Sequence, residues 1–461
     1  MRPPGPERAP APALADATTN AGWRWALLLV ASVHLLTTAG AWYVTDHAEY
    51  LFVARRLLDR GSFDLAEPGV RRIAALPWLV EPPDGVLRTR LLPATPITLL
   101  PLLALDRALG LEERHQYGRL VHLQGHAFVL AGLALLASAL RSYGASARAT
   151  ALTVALTGLA WPVWFVARRI GPEPILVFLV CLFLAAGGWA QGGFRRRAAL
   201  ARFAVCGLLP WVSPTGPLIG LALASAGLVD AWLDRARRQG AGGEDPARQR
   251  QEIWLPVLGL VLGLASFVLA WNQLYHGDWR LGGYALYAKT QFFGVEHPLL
   301  GLGRHVRALF LEAPVIPPLL LMGLRYSGAP RAQGLTLPLC LTTLLLLLFS
   351  SFYQPEPARR FAVVWPCWAL VAGRTLDRIE LRDPAPQALL ALSGLSGFYW
   401  LILYEGRHHL GWDGLFYPNV LWVERLVARA PLGPWAAVLA ALLVLFLLSA
   451  AATWRHLRRP A

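Results

Sequence analysis

The sequence predicts an all-α protein that crosses a membrane many times, and three observations support this fold class. First, the 461 residues are 56% hydrophobic and only 15% charged, whereas soluble domains are about 25% charged. Second, the mean hydropathy is +0.44, and the apolar residues form runs of membrane-spanning length. Third, arginines punctuate these runs. A soluble fold of this length could not bury so much apolar surface, so soluble-enzyme and disordered-chain classes are excluded.

The lengths of the apolar runs predict about 12 spans, because a helix needs about 20 apolar residues to cross the hydrocarbon core and fewer where neighbours bury it. The runs lie near 23–43, 120–140, 149–167, 174–191, 202–212, 217–233, 253–271, 306–324, 335–351, 362–376, 387–404 and 435–453. The first is long for the apolar region of a signal peptide and many spans follow it. We therefore interpret it as a retained membrane anchor.

The basic residues predict the orientation, because lysine and arginine in short loops favour the cytoplasmic side. The loops concerned contain Arg141 and Arg148, Arg195 to Arg197, Arg235 to Arg250, Arg325 and Arg331, and Arg455, Arg458 and Arg459. Residues 1–22 and 454–461 then form cytoplasmic tails of a single transmembrane domain, 23–453, in a bacterial cytoplasmic (inner) membrane. The net charge of +15 is interpreted as an orientation signal, and no nucleic-acid partner is predicted.

Three long segments are then predicted on the outer face: 44–119, 272–305 and 405–434. The first contains an apolar run, 91–109, with three prolines. The predicted orientation leaves no crossing for this run, and prolines disfavour a regular helix. We therefore expect an interfacial or re-entrant segment on the outer face, where the chemistry is also expected.

The first outer segment begins with a predicted amphipathic helix that carries acidic residues at its start. Thr45 can cap this helix, and an apolar stripe follows. Asp46, Glu49 and Tyr50 would share one face at the helix N-terminus, where the helix dipole stabilises a carboxylate. An acidic N-terminus on an ordinary surface helix has the same pattern, so the residue types alone leave both interpretations open.

This segment resembles the first outer loop of the GT-C superfamily, the polyprenyl-phosphate-sugar-dependent glycosyltransferases. The superfamily includes protein O-mannosyltransferases and bacterial lipid A aminoarabinose transferases. Many members carry D-E-x-x-Y there, then an alanine-rich helix and a glycine. Asp46, Tyr50, Ala54 and Gly61 fit this pattern, while His47 replaces the second acid. The resemblance implies that Asp46 is the catalytic base, or orients the acceptor hydroxyl, and that His47, Glu49 and Tyr50 contact the acceptor or substrate.

Arginines at two further places resemble the phosphate contacts of the family. Arg88 and Arg90 precede a proline, where relatives place a basic residue that contacts the lipid phosphate. Arg359 stands seven residues before Pro366, which keeps the spacing of a G-P-R-Y…P pattern. A guanidinium offers a phosphate two parallel donors, so the resemblance implies that Arg88, Arg90 and Arg359 bind the donor phosphate. Arginines that snorkel among lipid headgroups are the alternative for each.

Two loops supply the remaining candidates. The segment from Asn272 to Tyr284 resembles an outer-loop pattern of bacterial members, and Lys289, the single lysine of the chain, follows it. Glu173 is the acid of the short second outer loop, where the fold places a second acidic group, although it could also neutralise the neighbouring arginine pair. The resemblance implies that Lys289 binds the donor phosphate and that Glu173 and Tyr284 contact the acceptor or substrate. The resemblance makes no cofactor certain; it leaves a divalent metal open, although His47 replaces the second acid and no ligand cluster in the sequence supports a metal site.

The sequence therefore predicts an inverting glycosyltransferase with a GT-C-like fold and juxtamembrane helices in its first outer loop. Its partners would be a polyprenyl-phosphate-sugar donor, a lipid, glycan or protein acceptor, and membrane lipids. One alternative is a lipid-linked-sugar transporter or flippase, which favours charged residues in mid-span; acids there are nearly absent. The other is an O-antigen polymerase or ligase, which would place its main loop late in the chain.

Overall fold

A computed structural model describes residues 21–37, 45–65, 79–80, 88–89, 91–110, 120–191, 194–225, 246–277, 357–376, several positions between 387 and 399, and 432–458. Nearly all of these residues are helical. The helices are α1 (Ala21–Leu36), α2 (Thr45–Arg60), α3 (Ala94–Ala108), α4 (Leu123–Ser142), α5 (Ala147–Leu159), α6 (Trp161–Ala167), α7 (Pro172–Gln191), α8 (Arg195–Val212), α9 (Gly216–Ser225), α10 (Pro246–Phe267), α11 (Pro357–Leu376) and α12 (Leu432–Arg458). A short 3₁₀ turn (Leu120–His122) precedes α4, and a π-helix (Val268–Tyr275) continues α10. Strands β1 (Leu79–Val80) and β2 (Arg88–Thr89) pair antiparallel.

Four helices in the described part of the chain are long and apolar enough to cross a membrane. They are Leu120–Ser142, Pro172–Ala190, Trp254–Tyr275 and Ala440–Leu457. A helix satisfies its own backbone hydrogen bonds in lipid, which is why such runs fold this way in a bilayer. The chain is a multi-pass membrane protein, as predicted. The predicted spans 306–324 and 335–351 lie outside the described residues.

The core of the bundle lies where α4, α7 and α11 meet. Leu136 of α4, Phe183 of α7 and Trp365 of α11 are each at most 2% exposed. Small residues bring α8 and α10 closer than side chains would permit. A Cβ on Gly207 of α8 would lie 3.2 Å from the carbonyl oxygen of Gly259 in α10, and one on Gly263 would collide with the α8 backbone.

The predicted span 149–167 is wrong as one helix, because the chain breaks between α5 and α6. Ala160 adopts an extended conformation (φ −66°, ψ 136°), and Pro162 stands in the first turn of α6. Proline has no N–H, so the helix could not have continued through it without losing a backbone hydrogen bond. The carbonyl of Gly158, four residues before the proline, is the group left without its helical donor.

The expectation that the 91–109 run would not form a regular helix is also wrong, because α3 spans fifteen residues. Pro93 occupies the N-cap and Pro96 the first turn, where backbone N–H groups have no helical partner to lose. Two hydrogen bonds connect α3 to this region near the start of α4: Gln124 of α4 donates to Thr98 at 2.7 Å, and the N–H of Leu120, in the 3₁₀ turn before α4, donates to the buried Asp106 carboxylate at 2.9 Å. Helix α3 therefore packs beside the first turns of α4 and not along its length.

Close contacts between helices show which segments lie together at each end of the bundle. A Cβ on Gly125, near the start of α4, would lie 2.5 Å from the carbonyl oxygens of Ala167 and Arg169. The start of α4 therefore lies against the α6–α7 turn. Tyr50 of α2 and Leu99 of α3 share a cluster with Ile170 of that turn, and Phe63, just after α2, packs with Trp271 beyond α10. We call this group of segments the α2 end. At the opposite end, Gly22 of α1 lies directly against the ring of His456 in α12. The start of α1 and the end of α12 thus share an end of the bundle; the side of the membrane it faces stays a prediction.

Candidate active site at the α2 end

The predicted catalytic helix forms and starts where the sequence indicated. Helix α2 begins at Thr45, so Asp46 and His47 lie in its first turn, where free backbone N–H groups create a positive electrostatic potential. Their side chains lie outside the described part of the structure. Gly61 ends α2 with φ +65° and donates its N–H to the Leu57 carbonyl at 2.9 Å. This left-handed conformation explains the glycine of the motif.

The side chains of Glu49 and Tyr50 are buried, at 8% and 7% exposure. Tyr50 packs in a cluster that also contains Leu51 and Leu65. The cluster reaches Leu99 of α3 and Ile170 of the α6–α7 turn. It therefore fixes the first turns of α2 against the second loop, whose acid is Glu173.

Arg88 is the predicted phosphate ligand whose side chain is described. It lies on β2, and its Nε is 3.6 Å from Oδ1 of Asp64. Its guanidinium carbon lies 5.3 Å from the centre of the Tyr275 ring. The Arg88 side chain is 14% exposed and that of Asp64 is 48% exposed. A partly buried cation thus lies beside a half-exposed acid and over an aromatic face, an arrangement that can exchange the acid for another anion.

An aromatic cluster anchors the first loop to the end of α10. The Trp271 and Tyr275 rings stack at 4.4 Å, and the edge of Phe63 meets Trp271 at 5.4 Å. The Tyr275 hydroxyl donates to the Phe63 carbonyl oxygen at 3.0 Å. These contacts place Arg88 beside the start of the 272–305 segment. Sequence reasoning missed Phe63, Asp64 and Tyr275, because nothing local pairs residues more than 200 positions apart.

His276 completes this group, just beyond the membrane-spanning part of α10. Its ring lies 4.7 Å from that of Tyr275, and its side chain is 3% exposed. Burial, and secondarily the charge of Arg88, lower the pKa of His276 to about 4. The imidazole is therefore neutral at physiological pH and offers one donor and one acceptor.

Charged residues are buried in the α6–α7 turn. Arg168 and Arg169 are 5% and 3% exposed, and Glu173, in the first turn of α7, is 6% exposed. The guanidinium carbon of Arg169 lies 4.0 Å from the centre of the Phe165 ring. A buried charge is tolerated when it is paired and hydrogen-bonded. The turn therefore brings a compact set of fixed charges to the α2 end.

A histidine pair lies between α1, α4 and α6, and sequence reasoning missed it. The Nε2 of His34 donates to the Gly158 carbonyl oxygen at 2.8 Å, which replaces the N–H that Pro162 lacks. The His34 ring lies 5.7 Å from that of His126 and stacks on Trp164 at 6.4 Å. The proline predicted an orphan carbonyl, but no sequence signal could identify a donor from another helix.

Helix α11 directs Arg359 towards the same end. Gly373, late in α11, packs against Leu140 at the far end of α4, where a Cβ would lie 2.5 Å from the leucine side chain. Fourteen residues of α-helix extend about 21 Å, so the backbone of Arg359 lies near the α2 end. Its side chain lies outside the described part, as do residues Arg90, Tyr284 and Lys289 entirely.

The α2 end therefore brings together the backbones of Asp46, His47 and Arg359 and the side chains of Glu49, Tyr50, Arg88 and Glu173. Their assignments as base, phosphate ligand or substrate contact stay predictions. Within the described ranges, no group of three or more His, Cys, Asp or Glu side chains is placed to hold a metal ion.

Comparison with known proteins shows a similarity of fold. No protein-family model matches the sequence, and no curated protein matches it significantly. The crystal structure of ArnT from Cupriavidus metallidurans bound to undecaprenyl phosphate matches with a TM-score of 0.55 at 17% identity, over 96% of this chain and 78% of that one. The apo oligosaccharyltransferase of Archaeoglobus fulgidus matches with a TM-score of 0.48 at 13% identity, over 95% of this chain and 56% of that one.

The match to ArnT extends over nearly the whole chain. The chain therefore shares the fold of ArnT, and to that extent the fold expected from the sequence resemblance is confirmed.

Proposed function

We propose that this chain is an integral-membrane glycosyltransferase that moves a sugar from a polyprenyl-phosphate donor to an acceptor on the outer face of a bacterial cytoplasmic membrane. The observation that carries the proposal is the α2 end itself. An acidic helix N-terminus and a partly buried arginine lie there, in a fold shared with a protein crystallised with undecaprenyl phosphate. The same features would have no common purpose in a simple membrane anchor.

The chemistry would be a displacement at the anomeric carbon of the donor sugar. The Asp46 carboxylate takes the proton of the acceptor hydroxyl as its oxygen bonds to C1. The bond between C1 and the phosphate oxygen breaks, and its electron pair stays on the leaving polyprenyl phosphate. One inversion at C1 results, and the proton on Asp46 is later lost to water. General-base assistance of this kind contributes about 10²–10⁴-fold to the rate.

The leaving phosphate gains negative charge in this step and has to be stabilised. Arg88, with Arg90, Arg359 and Lys289, would supply the positive charge, and an electrostatic contribution of this type is often the largest in catalysis. His47, Glu49, Tyr50, Glu173 and Tyr284 would contact the acceptor or the sugar. The stacking of Arg88 on Tyr275 supports this role, because it holds the guanidinium in place before a ligand arrives.

The test is release of undecaprenyl phosphate from undecaprenyl-phosphate-linked mannose or aminoarabinose by the purified protein in liposomes. Membrane lipid, glycan and peptide acceptors are offered in turn. The proposal predicts that free undecaprenyl phosphate and a glycosylated acceptor appear in equal amounts. Movement of the intact sugar lipid between leaflets without release of undecaprenyl phosphate would instead support a flippase.

A further inference from the structure

The π-helical end of α10 buries an amide side chain without satisfying it. Asn272 is 0% exposed, and neither its Oδ1 nor its Nδ2 has a hydrogen-bond partner among the described residues. A buried amide left in this state destabilises a protein, so it calls for an explanation. Single π-helical turns within α-helices are frequent at functional sites, which points to a ligand.

A second polar side chain close to Asn272 has the same property. His276 is 3% exposed, and within the described part of the chain neither ring nitrogen is hydrogen-bonded. The N–H of His276 donates to the backbone carbonyl of Asn272, so the two residues lie about one turn apart on nearly the same side of the helix. Both side chains are neutral at physiological pH, because burial suppresses protonation of the imidazole.

Asn272 and His276 lie among aromatic side chains, and the cation Arg88 lies at the side of this aromatic group. The edge of His276 meets the Trp271 ring at 5.6 Å, and Trp271 stacks on Tyr275. Arg88 lies over the far side of this group, on Tyr275. The site thus contains neutral hydrogen-bonding groups next to a positively charged one.

We propose that Asn272 and His276 form the subsite for the hydroxyl groups of the donor sugar, adjacent to the donor phosphate at Arg88. This inference rests on the proposed function and adds the residues that recognise the sugar. An amide offers two donors and an acceptor, and a neutral imidazole offers one of each. Vicinal hydroxyls need this mixture, whereas a prenyl chain would leave both side chains unsatisfied and a phosphate would lack a counter-charge.

The complete burial of Asn272 means that a sugar could enter the site only after the structure around it changes. Because Asn272 has no exposed surface, its cover has to move before a ligand reaches the amide. Phe63 and Arg88 of the first loop lie against the same end of α10, and Gly277 directly follows the pair with φ +72°. Donor binding at Arg88 would therefore be accompanied by opening of this end.

The test compares two lipids on the full-length protein in nanodiscs. The probes are undecaprenyl phosphate alone and undecaprenyl phosphate carrying mannose or aminoarabinose. Asn272→Leu removes the amide and keeps the size of the side chain. We expect the sugar-bearing lipid that the wild type prefers to bind at least tenfold more weakly, undecaprenyl phosphate to bind as in the wild type, and the melting temperature to stay the same or rise.

Gln124→Leu is the matched control, because Gln124 is an equally buried amide whose Nε2 donates to Thr98 at 2.7 Å. It should lower the melting temperature without distinguishing the two lipids. His276→Phe, which keeps an aromatic ring, provides a second variant and should show the same selective loss as Asn272→Leu.

Three results would overturn the inference. If Asn272→Leu and His276→Phe bind the sugar-bearing lipid with wild-type affinity, the pair does not contact the sugar. The same conclusion would follow if both variants lost affinity equally for the two lipids and had a lower melting temperature. A wild type that binds undecaprenyl phosphate but prefers no sugar-bearing lipid would refute the subsite alone. Failure to bind either lipid would refute the proposed function as well.

Discussion

Neutralising Asp64 should increase the affinity of the protein for undecaprenyl phosphate. Asp64 Oδ1 lies 3.6 Å from Arg88 Nε, so in the ligand-free state the acid occupies part of the position that a phosphate would take. Asp64→Asn removes this competitor and leaves the size of the side chain nearly unchanged. The variant therefore separates the charge of Asp64 from its packing.

The size of the effect follows from two contributions. The Asp64 side chain is 48% exposed, and exposed ion pairs contribute only about 0–1 kcal/mol. A phosphate about 6 Å from the Asp64 carboxylate would be repelled by roughly 0.7–1.4 kcal/mol at an effective dielectric constant of about 40–80. With allowance for screening, Asp64→Asn should tighten binding by about three- to tenfold, since 1.4 kcal/mol corresponds to tenfold.

The assay is equilibrium binding of labelled undecaprenyl phosphate to the protein in nanodiscs at low and at high salt. The gain should shrink at high salt, because the pair is half exposed to solvent. Asp59→Asn is the matched control: Asp59 is 38% exposed and pairs with Arg107 at 2.6 Å and with Arg55 at 3.8 Å. Unchanged or weaker binding by Asp64→Asn, or an equal gain in Asp59→Asn, would refute the placement of the phosphate at Arg88.

Three further predictions concern stability. His34→Leu should lower the free energy of unfolding by about 1–3 kcal/mol, because it leaves the Gly158 carbonyl buried without a donor; an unchanged melting temperature in detergent would contradict this. Gly263→Leu should prevent close packing of α8 and α10 and reduce the yield of folded protein, whereas Ala265→Leu, on an exposed position of the same helix, should be tolerated. Burial lowers the pKa of His276 from 6.5 to about 4, so between these pH values acid protonates the ring in the unfolded chain but not in the folded protein. Stability is therefore full above pH 6.5 and falls as the pH drops towards about 4. Acid should therefore lower the melting temperature of the wild type more than that of His276→Gln. The corresponding difference in the free energy of unfolding should be no more than about 3 kcal/mol, and parallel curves of melting temperature against pH for the two proteins would contradict the prediction.

Much of the fold could be predicted from the sequence, because length, hydrophobicity and charge act locally. Helix α2 begins beside Thr45 as predicted, and α4 and α7 begin and end close to the predicted positions. The errors arise at prolines. In α3 the first two prolines stand at the N-cap and in the first turn, and Pro162 likewise stands in the first turn of α6, where the 149–167 run breaks. Each of these prolines marks a helix start, and apolar periodicity does not show which proline in a run does so.

The site could be predicted only where its residues form a motif along the chain. Asp46, Tyr50 and Gly61 are close in sequence and keep their helical spacing in α2. The contacts of Arg88 with Tyr275 and of His34 with Gly158 connect distant segments. Such pairs result from helix packing and leave no local pattern in the chain.

The rate of sugar transfer by Asp46→Asn protein tests the central claim most directly. The variant keeps the size of the side chain and removes the base, so it should still bind undecaprenyl phosphate with wild-type affinity. Transfer to the acceptor should fall by about 10²–10⁴-fold, while Asp59→Asn protein, changed at the other end of the same helix, should transfer at the wild-type rate. Transfer by folded Asp46→Asn protein at the wild-type rate would contradict the account.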